Sequence, residues 1–295
     1  MNILIVTGGS SSERKISLIS AQAVRKALLT NGHRVTMFDF KKGLVALKKL
    51  LPAFDMTFPV MHGYEGENGD LYSFFRSNKM PYVGSDPKGA RIAFDKMVFK
   101  KYCKRKKIPT ADWMIVKNSK DIKRFGFPCV LKGAWGGSSN EVFILKSEKD
   151  LSHRMVSNIL KLKNGCFVEK LLTGVEITVG ILQAKALPVL EIVPPVGKWF
   201  DSKYKYSGET KEIPFPTSVT KKMQALSQKI ALDIHIDLKL GSFSRTDIIV
   251  QDSTPYVIEA NTPGGVGFTP QSLFPKAAQA AGISFEDLIE RLITK

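Results

Sequence analysis

Ser244-Arg245-Thr246-Asp247-Ile248-Ile249-Val250 and, shortly after it, Tyr256-Val257-Ile258-Glu259-Ala260-Asn261-Thr262 are the stretches whose pairing decides the fold. Each is short and rich in β-branched residues, as a strand inside a sheet requires. Asp252-Ser253-Thr254-Pro255 between them reads as a tight connection, so the two runs are expected to form an antiparallel hairpin. Strand alternation places Arg245 and Asp247 on one face, and Glu259 and Asn261 on one face of the partner. Where those faces coincide, two carboxylates, an amide oxygen and a guanidinium share a small volume. Hard oxygen ligands of this kind suit Mg2+ bridging the phosphates of a nucleotide. The alternative is an exposed charged face with a cross-strand Arg–Glu pair.

Downstream of the hairpin, Pro263–Ser272 is a glycine-rich loop, followed by helical stretches at about Pro275–Ala281 and Ser284–Thr294. Ser284 with Asp287 is a weak capping signal for the second. Upstream lies a helix from about Thr217 to Asp233. Before that, Trp199–Thr210 has no hydrophobic period and is rich in aromatic residues, which suits a lid. Phe167–Leu172 reads as a strand that passes through Thr173-Gly174 into Glu176–Leu182. Such a segment joins two lobes and offers its polar backbone to a purine edge. Between Lys132 and the strand Val142–Leu145, Gly133-Ala134-Trp135-Gly136-Gly137-Ser138-Ser139-Asn140 can fold over a triphosphate, using backbone N–H groups and two hydroxyls. It lacks the Gly-Lys-Ser/Thr helix start of a P-loop, and a flexible hairpin tip is the alternative.

The amino-terminal part opens with a buried strand, residues 2–7, then Gly8-Gly9-Ser10-Ser11-Ser12-Glu13-Arg14 and a helix to about Leu29. Gly32 stops that helix before the strand His33–Phe38, giving a βαβ opening. The turn then lies at the carboxyl edge of a parallel sheet, where ligands bind, although the dinucleotide spacing of glycines is absent. Glu13 either complements the helix dipole or holds an ammonium group. Asp55–Met61 is a further strand, and it ends in His62-Gly63-Tyr64-Glu65-Gly66-Glu67-Asn68-Gly69, a loop suited to close backbone approach. Pro81–Pro87 reads as a last strand and a linker, which ends the first domain near residue 87. A helix is expected from Lys88 to Lys107, with strands near Asp112–Val116 and Cys129–Lys132.

The 295 residues suit two or three small lobes, and 43% hydrophobic and 24% charged residues are ordinary for a globular protein. No apolar run is long enough to cross a bilayer, and the chain starts directly in a strand, so a cytoplasmic protein is expected. Cys103, Cys129 and Cys166 have neither paired nor metal-type spacing and read as reduced thiols. The net charge of +17 is densest at Lys100–Lys107 but otherwise spread along the chain. No nucleic-acid-binding motif accompanies it, so nucleic acid is not expected as a main partner.

Taken in order, these pieces resemble the D-alanine–D-alanine ligases of the ATP-grasp superfamily nearly end to end. The resemblance rests on Gly8-Gly9 with Ser12-Glu13-Arg14 and Ser17, on His62-Gly63 with Gly66-Glu67-Asn68-Gly69, and on Asp95-Lys96. It rests equally on Lys132 with Gly137-Ser138-Ser139, Glu169-Lys170 with Glu176, Lys205-Tyr206, Arg245-Thr246-Asp247 and Glu259-Ala260-Asn261-Thr262. It implies an α/β (α+β) ATP-grasp fold of three lobes. These are a Rossmann-like substrate domain at 1–87, a central lobe at 88–172 and a carboxyl-terminal lobe at 173–295.

The implied activity is ATP-dependent joining of two D-alanines for peptidoglycan precursor synthesis, in a cytoplasmic homodimer with no membrane partner. By the resemblance, Lys96 and Lys132 contact ATP phosphates beneath the Ser138-Ser139 loop; Glu169, Lys170 and Leu172 contact the adenine, and Glu176 the ribose. Asp247, Glu259 and Asn261 bind two Mg2+ or Mn2+ ions. Glu13 anchors the first D-alanine in a triad with Ser138 and Tyr206, Lys205 assists the γ-phosphate, and Arg245 stabilises the oxyanion. His62, Gly267 and Ser272 complete the substrate site, and Tyr206 favours a peptide over an ester product. Three departures stand out. Lys132-Gly133 replaces the usual Lys-Pro, and Gly136 stands where an acidic residue commonly precedes Gly-Ser-Ser. The loop after Asn261 is two residues longer than the usual Asn-Thr-x-Pro-Gly, which is expected to alter the wall around the acceptor side chain.

Overall fold

A computed structural model of the chain describes residues 1–137, 141–195 and 209–294. The first sheet is parallel, in the order β2-β1-β3, from β1 (Asn2–Thr7), β2 (Arg34–Asp39) and β3 (Met56–Val60). Ile3 to Val6 are fully buried, as expected for a parallel strand covered on both faces. The helix Arg14–Thr30 buries Ser17, Ser20, Ala21, Val24, Ala27 and Leu28, a stripe at helical spacing. Pro81–Pro87 adds no strand to this sheet. Its contribution is the single bridge Thr57↔Tyr82.

The second sheet is antiparallel, in the order β4-β7-β5-β6, from β4 (Trp113–Val116), β5 (Cys129–Gly133), β6 (Val142–Leu145) and β7 (Cys166–Lys170). The third is built from β8 (Val175–Leu182), β9 (Lys185–Ala186), β10 (Leu190–Val193), β11 (Lys211–Pro214), β12 (Phe243–Gln251) and β13 (Thr254–Asn261). Its order is β11-β10-β8-β12-β13, with β9 paired to β8. The hairpin of β12 and β13 forms as expected, but its turn is shorter than the four residues Asp252–Pro255. Asp252 and Ser253 alone make it, at φ 49° and 56°, the two left-handed positions of a type I′ turn. Pro255 therefore lies within β13 opposite Val250, which an edge strand tolerates.

The helix expected over Lys88–Lys107 is two helices, Pro87–Phe94 and Lys96–Lys106. Asp95 leaves the helical conformation at ψ 105° and accepts a hydrogen bond from the Val98 N–H at 3.0 Å, so it caps the second helix. That break makes Lys96 the first residue of a helix. The later helix runs Lys221–Asp237, four residues further than Asp233, with Thr220 as its cap. Helices at Gly43–Leu50, Asp70–Ser77, Ser119–Phe125 and Arg154–Leu160 complete the middle of the chain. Among the described residues, no helix is long and apolar enough to cross a membrane.

The helices Leu273–Ala280 and Phe285–Ile293 return to the start of the chain. Phe274, Leu288 and Ile289 share one core with Ile5, Val24 and Phe58 of the first sheet layer and with Leu182 and Phe243 of the third sheet. Phe268 lies between them, its ring edge-on to Phe58 at 5.7 Å and to Phe243 at 5.1 Å. The Pro87–Phe94 helix presses against the end of the Lys221–Asp237 helix, where a Cβ on Gly89 would lie 1.7 Å from the Leu238 carbonyl oxygen. Backbone on both sides leaves no way to yield. Gly89→Ala is therefore expected to lower the unfolding free energy by about 1–3 kcal/mol, measured as a lower urea midpoint at unchanged slope.

Candidate active site

The register of β12 and β13 sets Arg245 opposite Asn261 and Asp247 opposite Glu259. The expected coincidence of faces is thus realised. Asp247 is buried and accepts from Arg245 Nε at 3.0 Å, Arg245 Nη2 at 2.8 Å, Thr178 Oγ1 at 2.6 Å and Asn261 Nδ2 at 2.9 Å. Glu259 has Lys96 Nζ at 3.8 Å. Like charges directly opposite each other destabilise a hairpin, and here the guanidinium, the ammonium and the amide surround them. Among the described residues no group of three His, Cys, Asp or Glu side chains is set to hold a metal. The donor set here is instead two carboxylates and one amide. All three carry hard oxygen atoms of the kind a Mg2+ or Mn2+ ion takes, with Arg245 and Lys96 set against the two carboxylates.

Lys96 owes its position to the Asp95 break. Its Nζ donates to the Gly136 carbonyl at 2.6 Å, and Asp95 accepts from Trp135 Nε1 at 2.9 Å, so one short segment grips the glycine loop twice. The Trp135 ring also stacks on Tyr64 of the first lobe, 5.1 Å between centroids. The two departures at Gly133 and Gly136 share one reason. A Cβ on either would lie 2.6 or 2.7 Å from Glu141 Oε2, because the Glu141 carboxylate fills that space. Burial raises the Glu141 pKa while nearby Lys96 opposes the rise.

Lys132 lies on β5 and pairs with Glu169 on β7 at 2.5 Å. The second oxygen of Glu169 pairs with Lys100 at 2.5 Å, and Lys100 and Glu169 are both almost fully enclosed. Burial alone would raise the Glu169 pKa, but the two ammonium groups hold it at about 2. Next to this triad opens a cavity of about 500 Å³, lined by Lys170, Leu172 and Glu176 with Val130, Ile144 and Ile249. These apolar side chains share the lining with Lys96, Lys132, Asp247 and Glu259, which suits a flat ring that carries a charged tail. Glu169 turns its carboxylate towards the lysines; Lys170 ends β7, and Leu172 stands on the segment that joins it to β8.

A second cavity of about 490 Å³ adjoins the first and shares Lys96, Gly136, Gly137 and Glu259 with it. Glu13, His62, Arg245, Gly267 and Ser272 line it. Glu13 is buried, and a Cβ on Gly137 would lie 3.1 Å from its carboxylate. Burial lowers the His62 pKa against the opposing field of Glu13. Ser272 precedes the Leu273–Ala280 helix without capping it. Its hydroxyl accepts from the Thr269 N–H at 3.1 Å, and a Cβ on Gly267 would meet it at 2.7 Å. The longer loop folds onto the first lobe: the Gly264 N–H donates to Tyr72 Oη at 3.1 Å, and a Cβ on Gly265 would lie 2.6 Å from Glu67 Oε2. Ser138, Ser139, Lys205 and Tyr206 lie outside the described residues.

Sequence reasoning assigned no role to Glu67, Lys100 or Glu141. Glu67 carried a signal, a carboxylate among the three glycines of one loop, Gly63, Gly66 and Gly69. Lys100 and Glu141 carried none, since both stand among other charged or polar residues.

The family model described as D-ala D-ala ligase C-terminus matches residues 102–294. A curated D-alanine–D-alanine ligase of Clostridium botulinum is 34% identical over 99% of this chain and 97% of its own length. One of Thermotoga maritima is 32% identical over 99% of this chain and 96% of its own. The crystal structure of the Bacillus anthracis D-alanine–D-alanine ligase complexed with ATP superposes with a TM-score of 0.85 at 28% identity, covering 99% of this chain and 96% of that one.

Glu67 carries a prediction of its own. Burial first, and then the charge of Glu13, push its carboxyl up to about 8, above the usual glutamate value, while the Gly63 N–H it accepts at 2.6 Å opposes the rise. A raised carboxylate pKa means that the folded state binds the proton more tightly. The benefit is full below the unfolded value near 4.5 and is lost as pH rises to about 8. Glu67→Gln has no such charge to bury. Urea unfolding of the ligand-free protein is expected to show E67Q gaining on the wild type by about 1 kcal/mol or more between pH 5 and pH 8; a constant difference would contradict the burial.

Proposed function

We propose, from the premise that this chain belongs to the D-alanine–D-alanine ligase family, that it uses ATP to join two molecules of D-alanine. The fold is that of the ATP-grasp enzymes. The observation that carries the reading is the junction of the two cavities at Lys96, Gly136, Gly137 and Glu259. A group bound in the apolar-walled cavity meets, at that junction, a group bound beside Glu13.

The lobes of this reading are 1–87, 88–172 and 173–295. Adenine takes the slot at Lys170 and Leu172, its edge facing the backbone that follows Glu169, and Glu176 holds the ribose. Lys96 and Lys132 meet the phosphates, and the Ser138-Ser139 loop covers them. Asp247, Glu259 and Asn261 hold Mg2+ or Mn2+, two ions in all, Asn261 by turning its amide oxygen inward. Bound there, the cation neutralises charge on the phosphates.

Glu13 accepts the ammonium of the first D-alanine and so orients its carboxylate towards the γ-phosphorus. That carboxylate attacks, the bond to the leaving ADP breaks, and an acyl phosphate results. The amine of the second D-alanine then attacks the acyl carbon, loses a proton, and phosphate leaves. Arg245, held rigidly by two bonds to Asp247, faces the negative charge that develops on the carbonyl oxygen. His62 lines the same volume with its pKa lowered by burial, so it sits there neutral. Gly267 and Ser272 take the second carboxylate at a helix amino end. Lys205 and Tyr206 close the lid over the reacting groups in this reading, in a cytoplasmic homodimer that supplies peptidoglycan precursors.

The direct test is phosphate release from ATP, measured with and without D-alanine and with Mg2+, Mn2+ or excess chelator. Release is expected only with amino acid and divalent cation together. Glu259→Gln is expected to lower turnover by about a hundredfold or more while thermal unfolding shifts little; full activity in that variant would remove Glu259 from the site.

The acceptor end is tested separately. Ser272→Ala deletes a hydroxyl that makes no helix cap, so the KM for the acceptor D-alanine is expected to rise about tenfold with the KM for ATP unchanged. Equal damage to both constants would place the acceptor elsewhere.

A further inference from the structure

Lys100 is nearly inaccessible and lines neither of the two cavities, yet its ammonium group lies in the protein interior. Such a charge is strongly unfavourable without partners. It has two, Glu169 at 2.5 Å and the Thr110 hydroxyl at 2.5 Å. Thr110 in turn donates to the Val257 carbonyl at 2.8 Å, on the strand that carries Glu259. The carboxylate of Glu169 is shared: one oxygen faces Lys100, the other Lys132, whose side chain retains 12% exposure at the edge of the nucleotide cavity. The triad holds two cations and one anion. One positive charge is therefore in surplus, and Lys132 borders the cavity together with Glu169 while Lys100 does not.

We infer that Lys100 is a positioning residue for nucleotide binding: as the permanent counter-ion of Glu169, it leaves the Lys132 ammonium free to turn to a polyphosphate. This inference rests on the proposed ATP site. Without Lys100, Glu169 would be a buried carboxylate with Lys132 as its one ion-pair partner among the described residues. Moving Lys132 to a phosphate would then strand that carboxylate, which burial penalises heavily. With Lys100 in place the anion stays neutralised in both positions of Lys132. Because Lys100 lines neither cavity, its effect on ATP is indirect and passes through Glu169, the one of its two partners that lines the nucleotide cavity.

The test is a double-mutant cycle of wild type, K100M, E169Q and K100M/E169Q, reading the KM for ATP, the KM for D-alanine, turnover and thermal unfolding. K100M is expected to raise the KM for ATP about 10–30-fold, leaving the KM for D-alanine within about twofold. K100R, which keeps the charge, is expected to recover most of the loss. In the E169Q background the same Lys100→Met change is expected to alter the KM for ATP by less than about twofold, since the carboxylate through which it acts is gone. An equal loss in both backgrounds, or an unchanged KM in a folded K100M, overturns the inference. Should K100M alone not fold, E169Q is compared with K100M/E169Q, and any further loss of ATP affinity in the double variant overturns it. Failure of the underlying reading looks different: the wild type itself would then release no phosphate from ATP in the presence of D-alanine.

Discussion

Two carboxylates face each other at paired positions of one hairpin, Asp247 on β12 and Glu259 on β13. Left alone, that pairing repels, and much of the surrounding structure answers it. Arg245 and Asn261, the neighbouring pair on the same face, both turn to Asp247. Lys96 arrives from the start of the Lys96–Lys106 helix to stand by Glu259. A one-residue bulge between Asp247 and Ile248 shifts the pairing that the type I′ turn starts, and only beyond it does Asp247 meet Glu259, on a β12 held centrally between β8 and β13. A one-residue slip would carry all four side chains to the opposite face.

The cations reach the site through breaks in regular structure. Asp95 interrupts a helix to cap the next one, and the same carboxylate holds Trp135 in the glycine loop. Lys96 follows at once, so helix capping, loop anchoring and charge placement all depend on one residue. Gly133 and Gly136 make room for Glu141, which places a carboxylate beside the loop from its far strand.

Closure of the site depends on packing far from the chemistry. The last two helices bury their apolar faces between the first and third sheets, and Phe268 touches both. This contact fixes the glycine-rich loop 263–272 against the first lobe, with Gly264 on Tyr72 and Gly265 beside Glu67. The longer loop is therefore accommodated by glycines that let backbone meet backbone. Its extra length is spent at the lobe junction as well as at the cavity wall.

Local pattern was enough for the βαβ opening, the hairpin and the family resemblance, while the coincidence of the two charged faces depended on the bulge beside Asp247. Period-two alternation and glycine placement act over a few residues, and the chain displays them directly. The end of a helix at Asp95 was less legible, because Lys88–Lys107 has helix-forming residues on both sides and one capping bond decides the break. The single bridge at Tyr82 and the shortened turn likewise depended on which backbone partners were at hand. The buried triad was not legible at all. Lys100 sits in a run that reads as a solvated basic surface, and Glu169 in a strand whose neighbours give no hint of two lysines. Their charges are tolerable in the interior because three segments distant in sequence bring them within 2.5 Å of each other. The sequence by itself determined which groups the protein possesses and the faces on which its strands present them. Only tertiary packing decided which charges are buried together, because an ion pair between segments distant in sequence depends on distances that no local period encodes.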